Sequence, residues 1–148
     1  GLAFGGGALM ASSFDIRIGT SNTSFKFLAA TYGRLNSSWT LPAQIGWPKA
    51  KELLFTGRQI MAEEAYEIGL LNHLVSADQL MDKTLEIAEM ISNNDSRMVQ
   101  GLKKLVSENI GYTLKEQYNH EMRAVQDWLK PISVQDSFKT FLDKKGRI

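Results

Sequence analysis

The sequence has no cysteine, only three prolines and almost no charge imbalance, with 17 Lys and Arg against 16 Asp and Glu. Without cysteine there is no disulfide framework, no thiolate metal site and no cysteine nucleophile. Near-neutrality argues against a nucleic-acid partner, which calls for a basic face or stripe. No apolar run reaches the ~20 residues of a membrane helix, so no membrane partner is expected. The stretch from Leu2 to Phe14 is apolar or small, but it has no basic lead-in and so fails as a secretory signal. What is present is a chain of 148 residues, 43% hydrophobic and 22% charged, too apolar for disorder. A compact domain of that length buries roughly 68–70% of its unfolded surface. Its compartment need not be oxidising, and a cytoplasmic location is expected.

The first residues, Gly1-Leu2-Ala3-Phe4-Gly5-Gly6-Gly7, read as the interior of a domain, with Gly1 following a strand that the sequence does not include. Ala8 to Phe14 has the small and straight-chain residues of a short buried helix. Asp15 to Gly19 alternates apolar and charged, as does Ser24 to Phe27, and both read as strands. From about Leu41 onward the pattern is helical. Pro48 suits a first helical turn and Gly57 a helix stop. Ala62 to Ile68 is a second short helix ended by Gly69, and Leu70 to Val75 is a brief extended piece. Asp78 to Ile91 places Met81, Leu85 and Ala88 on one face.

Three further helices follow. Ser96 caps one that carries Met98, Leu102 and Leu105, with Gly111 beyond its end. Thr113 and Glu116 form a capping box for another, with Tyr118, Met122, Val125 and Leu129 on its apolar stripe. Pro131 stops it, and Ser133 with Asp136 opens a last helix through Phe138, Phe141 and Leu142. The basic tail around Lys144 and Lys145 suits either a solvated helix end or a phosphate contact.

Several motifs are absent. The dinucleotide fingerprint fails at Met10, where its third glycine belongs, and Ala8 after Gly7 rules out a P-loop. The two histidines, His73 and His120, lie 47 positions apart in sequence and form no recognisable metal-binding motif. No Gly-x-Ser-x-Gly elbow occurs. The triple glycine is what remains. Without Cβ atoms it lets the backbone approach a ligand, and the free N–H groups of the helix it opens attract phosphate, carboxylate or a developing oxyanion. The same glycines also suit tight helix–strand packing with no ligand at all.

The setting of these glycines adds more. The stretch from Gly1 to Ile18 resembles the segment of the crotonase (enoyl-CoA hydratase/isomerase) family in which a Gly-rich turn opens a helix leading to Cys or Phe, Asp, Ile or Leu, Arg and Ile. Lys51 to Arg58, Ala62 to Ala65 and Gly69 to Asn72 are similar to that family's next signature stretches. Ser37 to Pro42 resembles a subset with Ser-Trp and Leu-Pro, and Phe141, Leu142 and Lys144 resemble its terminal Phe-x-x-Lys helix. The resemblance implies an α/β fold: residues 1–75 would end a ββα spiral, and 76–148 would be a helical region that forms trimers or dimers of trimers. It implies acyl-CoA as substrate, with coenzyme A part of that substrate and no separate cofactor. It gives Gly6 the role of one of two backbone N–H donors to the enolate, the other lying upstream of Gly1. It places Gly5, Gly7, Phe141 and Lys144 against the substrate.

The same resemblance marks departures. Hydratases of the family carry glutamates where this chain has Leu9 and Ala29, and related isomerases carry an acid near Asn36. Syn hydration by two glutamates is therefore not expected. The proton would have to come from upstream of Gly1, from Tyr32 or from the substrate. Tyr32 itself reads as a packing aromatic. The alternative is a diverged, non-catalytic acyl-CoA-binding or assembly subunit.

Overall fold

A computed structural model describes residues 1–139. Phe141 and Lys144, with the predicted end of the last helix and the basic tail, lie outside the described residues. Two compact units are present, one spanning Gly1–Met90 and one beginning at Ile91. The architecture is α/β, with helices dominant and strands of two or three residues.

In the first unit β1 (Leu2–Phe4) leads directly into α1 (Gly6–Ser13), and β2 (Ile18–Gly19) and β3 (Ser24–Lys26) follow. A single 3-10 turn (Ala30–Tyr32) precedes α2 (Leu41–Ile45), α3 (Trp47–Thr56), β4 (Gln59–Met61), α4 (Ala62–Glu67) and β5 (His73–Leu74). The helix α5 spans Leu80–Ser92. One sheet has the order β1-β3-β4. Its first pair is parallel, with Ala3 opposite Phe25, and its second antiparallel, with Phe25 opposite Ile60. The second sheet pairs β2 with β5 in parallel, Ile18 opposite His73.

Three sequence expectations shift here. The buried helix predicted over Ala8–Phe14 begins at Gly6, and only Ala8 and Ser12 of it are buried, while Met10 and Phe14 face outward. The strand predicted from Asp15 begins at Ile18 because Arg17 is held otherwise: its N–H donates to Asn72 Oδ1 at 2.8 Å and its Nε to the Leu70 carbonyl at 2.5 Å. Its guanidinium also bonds the Phe14 carbonyl. Burial lowers the pKa of Arg17, and Asp15 partly offsets that shift. Finally, β4 lies in a region expected to be helical, and it exists through pairing with β3 rather than through any alternation of its own.

Ala8, Phe25, Phe27, Leu41, Ala50, Leu53, Ile60, Ala65, Leu70 and Leu71 form the core of this unit. They come from helices and strands alike: α1 packs on β1, α4 packs on β3 and β4, and α3 adds Ala50 and Leu53 to the same cluster. Pro48 sits in the first turn of α3 as predicted, and Gly57 closes the helix in the left-handed region at φ 60° with its N–H on the Leu53 carbonyl, 3.0 Å.

The second unit contains α6 (Ser96–Glu108), α7 (Leu114–Asp127) and α8 (Val134–Ser137). Leu105, Ala124 and Leu129 form its core, with Met98 packed on it. The Thr113–Glu116 capping box is present: Thr113 N–H donates to Glu116 Oε2 at 2.7 Å, and Glu116 N–H to Thr113 Oγ1 at 3.4 Å. The cap of α6 is Asp95, not Ser96. Its carboxylate accepts from Met98 N–H at 3.0 Å, one residue earlier than the sequence pattern suggested.

Gly57 meets two demands at once. Its φ is positive, and a Cβ built there would lie 2.6 Å from Thr31 Oγ1 in the 3-10 turn. Replacing Gly57 by Ala is expected to destabilise the protein by about 1–2 kcal/mol, measured by urea unfolding. An unchanged midpoint would remove the constraint.

Candidate functional site

The turn between β1 and α1 depends on Gly5. Its φ of 51° and ψ of −116° lie where only glycine rests without strain. The Gly5 N–H donates to the Lys26 carbonyl at 2.9 Å, which fastens the turn to the end of β3. The first intrahelical bond runs from Leu9 N–H to the Gly5 carbonyl, 3.1 Å. Gly6 is therefore the first helical residue, and the helix geometry leaves its N–H without an acceptor in its own helix. No side chain caps α1, and its first turn contains no acidic residue. The partial positive charge of the helix end is left uncompensated.

That end opens on a cavity of about 260 Å³ lined by Gly5, Gly6, Leu28, Ala29, Tyr32, Arg34 and Asn36. Of the three predicted glycines, Gly5 and Gly6 line it. Gly7 lies one residue further into α1, exposed and outside the lining. The far wall is the 3-10 turn and the segment after it. Arg34 N–H and Tyr32 N–H both donate to the Ala29 carbonyl, at 2.8 and 3.1 Å, and Gly33 takes φ 65°. This folds residues 29–34 into one tight knot. Tyr32 is 70% exposed and belongs to the cavity wall, which corrects its reading as a packing aromatic.

The positions marked as departures separate here. Ala29 faces the cavity, whereas Leu9 packs against the hydrophobic core. Arg34 and Asn36 are the polar lining residues besides Tyr32. The sequence gives Arg34 no role and marks Asn36 only as a place without an acid. Asn36 precedes Ser37, a buried residue at φ 56° and the only non-glycine with positive φ among the described residues. A larger cavity of about 440 Å³ opens beside β1, between Leu2, Phe14, Ile16 and Ile18. Its one cation, Arg17, is already committed to backbone carbonyls. Among the described residues no group of three or more His, Asp or Glu side chains could hold a metal ion.

Residues 1–147 match the family model for enoyl-CoA hydratase/isomerase. The chain belongs to the enoyl-CoA hydratase/isomerase family. It is 32% identical over 149 residues to a short-chain-enoyl-CoA hydratase of Clostridium acetobutylicum, an alignment covering 98% of this chain and 57% of that protein. A carnitinyl-CoA dehydratase of Proteus mirabilis is 35% identical over 121 residues, covering 80% of this chain and 46% of that protein. Among solved structures, the enoyl-CoA hydratase of Bacillus anthracis superposes with a TM-score of 0.87 at 31% identity, covering 97% of this chain and 57% of that one. The chain thus spans about half the length of the relatives it matches.

The family-like stretches at Lys51–Arg58 and Ala62–Ala65 do not line the Gly6 cavity; they build an ion network. Arg58 Nε donates to Glu52 Oε1 and its Nη1 to Glu64 Oε2, each at 2.7 Å. Lys49 Nζ reaches Glu52 at 2.9 Å and Glu64 at 3.4 Å. The network ties α3 to α4 on either side of β4. Hydrogen bonds from Lys49 and then Arg58 hold the Glu52 carboxyl below its ordinary range, and Arg58 does the same for Glu64.

Both carboxyls bind protons less readily folded than unfolded. Their stabilisation is complete above the ordinary glutamate range, about pH 4.3, and is lost as pH falls through their depressed folded values. Glu64→Gln is therefore expected to lower the Tm at neutral pH, by an amount that shrinks towards zero in acid. Thermal melts of both proteins from neutral to acid pH test this, and a gap independent of pH would refute it.

Proposed function

We propose that this chain carries the acyl-CoA site of a thioester-processing enzyme, in which the Gly6 N–H donates to the thioester carbonyl oxygen as negative charge develops there. One observation carries the reading: the Gly6 amide heads a helix with neither cap nor acidic first turn, and it lines a cavity. A preorganised donor aimed at a forming oxyanion contributes about 3 kcal/mol to the transition state. Relatives named enoyl-CoA hydratase and carnitinyl-CoA dehydratase support a CoA thioester as substrate. Coenzyme A is then part of the substrate, and no other cofactor is invoked. Gly5 supplies the turn, Gly7 continues the helix end, and Phe141 and Lys144 are proposed contacts to the CoA moiety.

Residues 1–75 would complete the spiral core, and 76–148 would form subunit contacts in a homotrimer or a dimer of trimers. Outward-facing apolar side chains support such contacts: Met81 and Leu85 on α5, Leu102 and Val106 on α6, Leu114 and Tyr118 on α7. A cytoplasmic location accords with this reading, and no helix among the described residues is long and apolar enough to cross a membrane.

A second reading has its own observation. At Ala29 a methyl group faces the cavity where hydratases place a carboxylate, and Leu9 is packed into the core. That favours a protein that binds acyl-CoA or assembles with an active partner without turning the substrate over.

The complete protein, incubated with a panel of enoyl- and acyl-CoA esters, separates the two readings. Conjugated-thioester absorbance and thiol release report turnover. Gly6→Pro removes the donor at a helical position that tolerates proline. It is expected to reduce kcat on the order of 10²–10³-fold with little change in Tm. Binding without turnover on every ester supports the second reading, and full activity in the Gly6→Pro protein removes the first. Sedimentation of the complete protein is expected to show a trimer or a multiple of one, and a monomer would overturn the assembly proposal.

A further inference from the structure

The two ends of α1 are held in different ways. At its start the Gly6 amide has no acceptor in the helix, and no side chain caps it. At its end the carbonyls are gripped by two side chains. Gln44 on α2 donates its Nε2 to the Ser12 carbonyl at 2.7 Å, across 32 residues of sequence. Arg17 Nη1 reaches the same carbonyl at 3.4 Å and also bonds the carbonyl of Phe14, the C-cap. Its Nε donates to the Leu70 carbonyl at 2.5 Å. The Arg17 backbone is fixed too, with its N–H on Asn72 Oδ1 and its carbonyl accepting from Asn72 N–H at 2.8 Å. The guanidinium thus joins α1 to the segment after α4, and its charge complements the negative end of the helix.

Gln44 adds little to stability in this position. Its Oε1 is buried without a hydrogen-bond partner, which is unfavourable. The Ser12 carbonyl does not depend on it, because Arg17 reaches the same oxygen. A methionine of similar length would remove the orphaned Oε1 and leave Ser12 with Arg17. Local conflicts of this kind belong to places where geometry matters more than stability.

We infer that Arg17 and Gln44 are positioning residues for Gly6: by gripping the carbonyl end of α1 they set the direction of the amide at its other end. This rests on the reading of Gly6 as donor to the thioester carbonyl. The lever is short and stiff, since six residues from Gly6 to Ser12 span about 9 Å. The bond from Gly5 N–H to the Lys26 carbonyl is its pivot. With the far end released, α1 tilts about that pivot, and the Gly6 N–H swings off the line to its acceptor. Hydrogen bonds weaken steeply with angle, and a misplacement of about 1 Å lowers a rate on the order of 100-fold.

The test uses the complete protein and butyryl-CoA and crotonyl-CoA, each carrying carbon-13 at the thioester carbonyl. Difference infrared spectroscopy of the bound ester reads the polarisation of that carbonyl whether or not the ester turns over. In the unaltered protein the band should move to lower frequency on binding, and Gly6→Pro should abolish most of that shift. Gln44→Met should lose much of it too, with Tm unchanged or raised and with ester affinity, measured by calorimetry, little altered. On any ester that turns over, its kcat should fall on the order of tenfold while KM holds. Arg17→Lys, which keeps a cation but not the planar fork, should retain more of the shift than Arg17→Met. Circular dichroism checks folding, and Gln44→Met decides the question if the Arg17 variants unfold. An undiminished band shift in Gln44→Met overturns this inference and leaves the Gly6 reading standing. A kcat loss in Gln44→Met that only tracks a fall in Tm marks a purely structural role and refutes it as well. If no ester binds, or the band of the unaltered protein does not move, the Gly6 reading itself fails and this inference with it.

Discussion

The first unit is organised around one backbone conformation, that of Gly5. A residue with a side chain would resist φ 51° with ψ −116°, and without that bend β1 could not turn straight into α1. The bend is fixed from outside by the hydrogen bond from Gly5 N–H to the Lys26 carbonyl, so the parallel pairing of β1 with β3 positions the start of the helix. Sheet register, turn and helix end are thus mechanically one object. The result is an amide at Gly6 with no acceptor in the helix that it begins.

Charge is divided between two places with different duties. Around β4, Arg58 and Lys49 meet Glu52 and Glu64, and the four groups neutralise one another as they link α3 to α4. Side chains that are about a third exposed gain little from each pair alone, and geometry rather than strength is what such a network supplies. At the cavity the arrangement is reversed, since Arg34 has no counter-charge among the described residues. The family-like stretches around Glu52, Arg58 and Glu64 are therefore scaffold, whereas the cavity is lined jointly by the glycine turn and by residues 32 to 36.

Much of this was legible from sequence because it is local. Thr113 and Glu116 cap α7 through atoms three residues apart, and Gly57 stops α3 because φ must turn positive there. The α/β class and the family followed from residues in a fixed order. Other features depend on distant partners. Gln59–Met61 becomes a strand only beside β3, and Arg17 leaves the strand pattern because its backbone N–H goes to the Asn72 side chain. At α6 two neighbouring polar residues compete for one cap, and the extended backbone at Asp95 decides between them. Arg34 carries no periodic or motif signal, and Asn36 only that of a missing acid. They meet Gly6 only because residues 29–34 coil tightly against α3, a three-dimensional event that no short window of residues encodes.

The free side of β1 has a consequence for assembly. In the order β1-β3-β4, Leu2–Phe4 is an outer strand among the described residues, with amides and carbonyls turned away from β3. Any strand that docks there must lie roughly 4.8 Å away. If it runs parallel, its C-terminal end arrives next to the glycine bend. The sheet's own growth direction thereby dictates where a newcomer's final residues, and whatever hydrogen-bond donors they bring, come to rest.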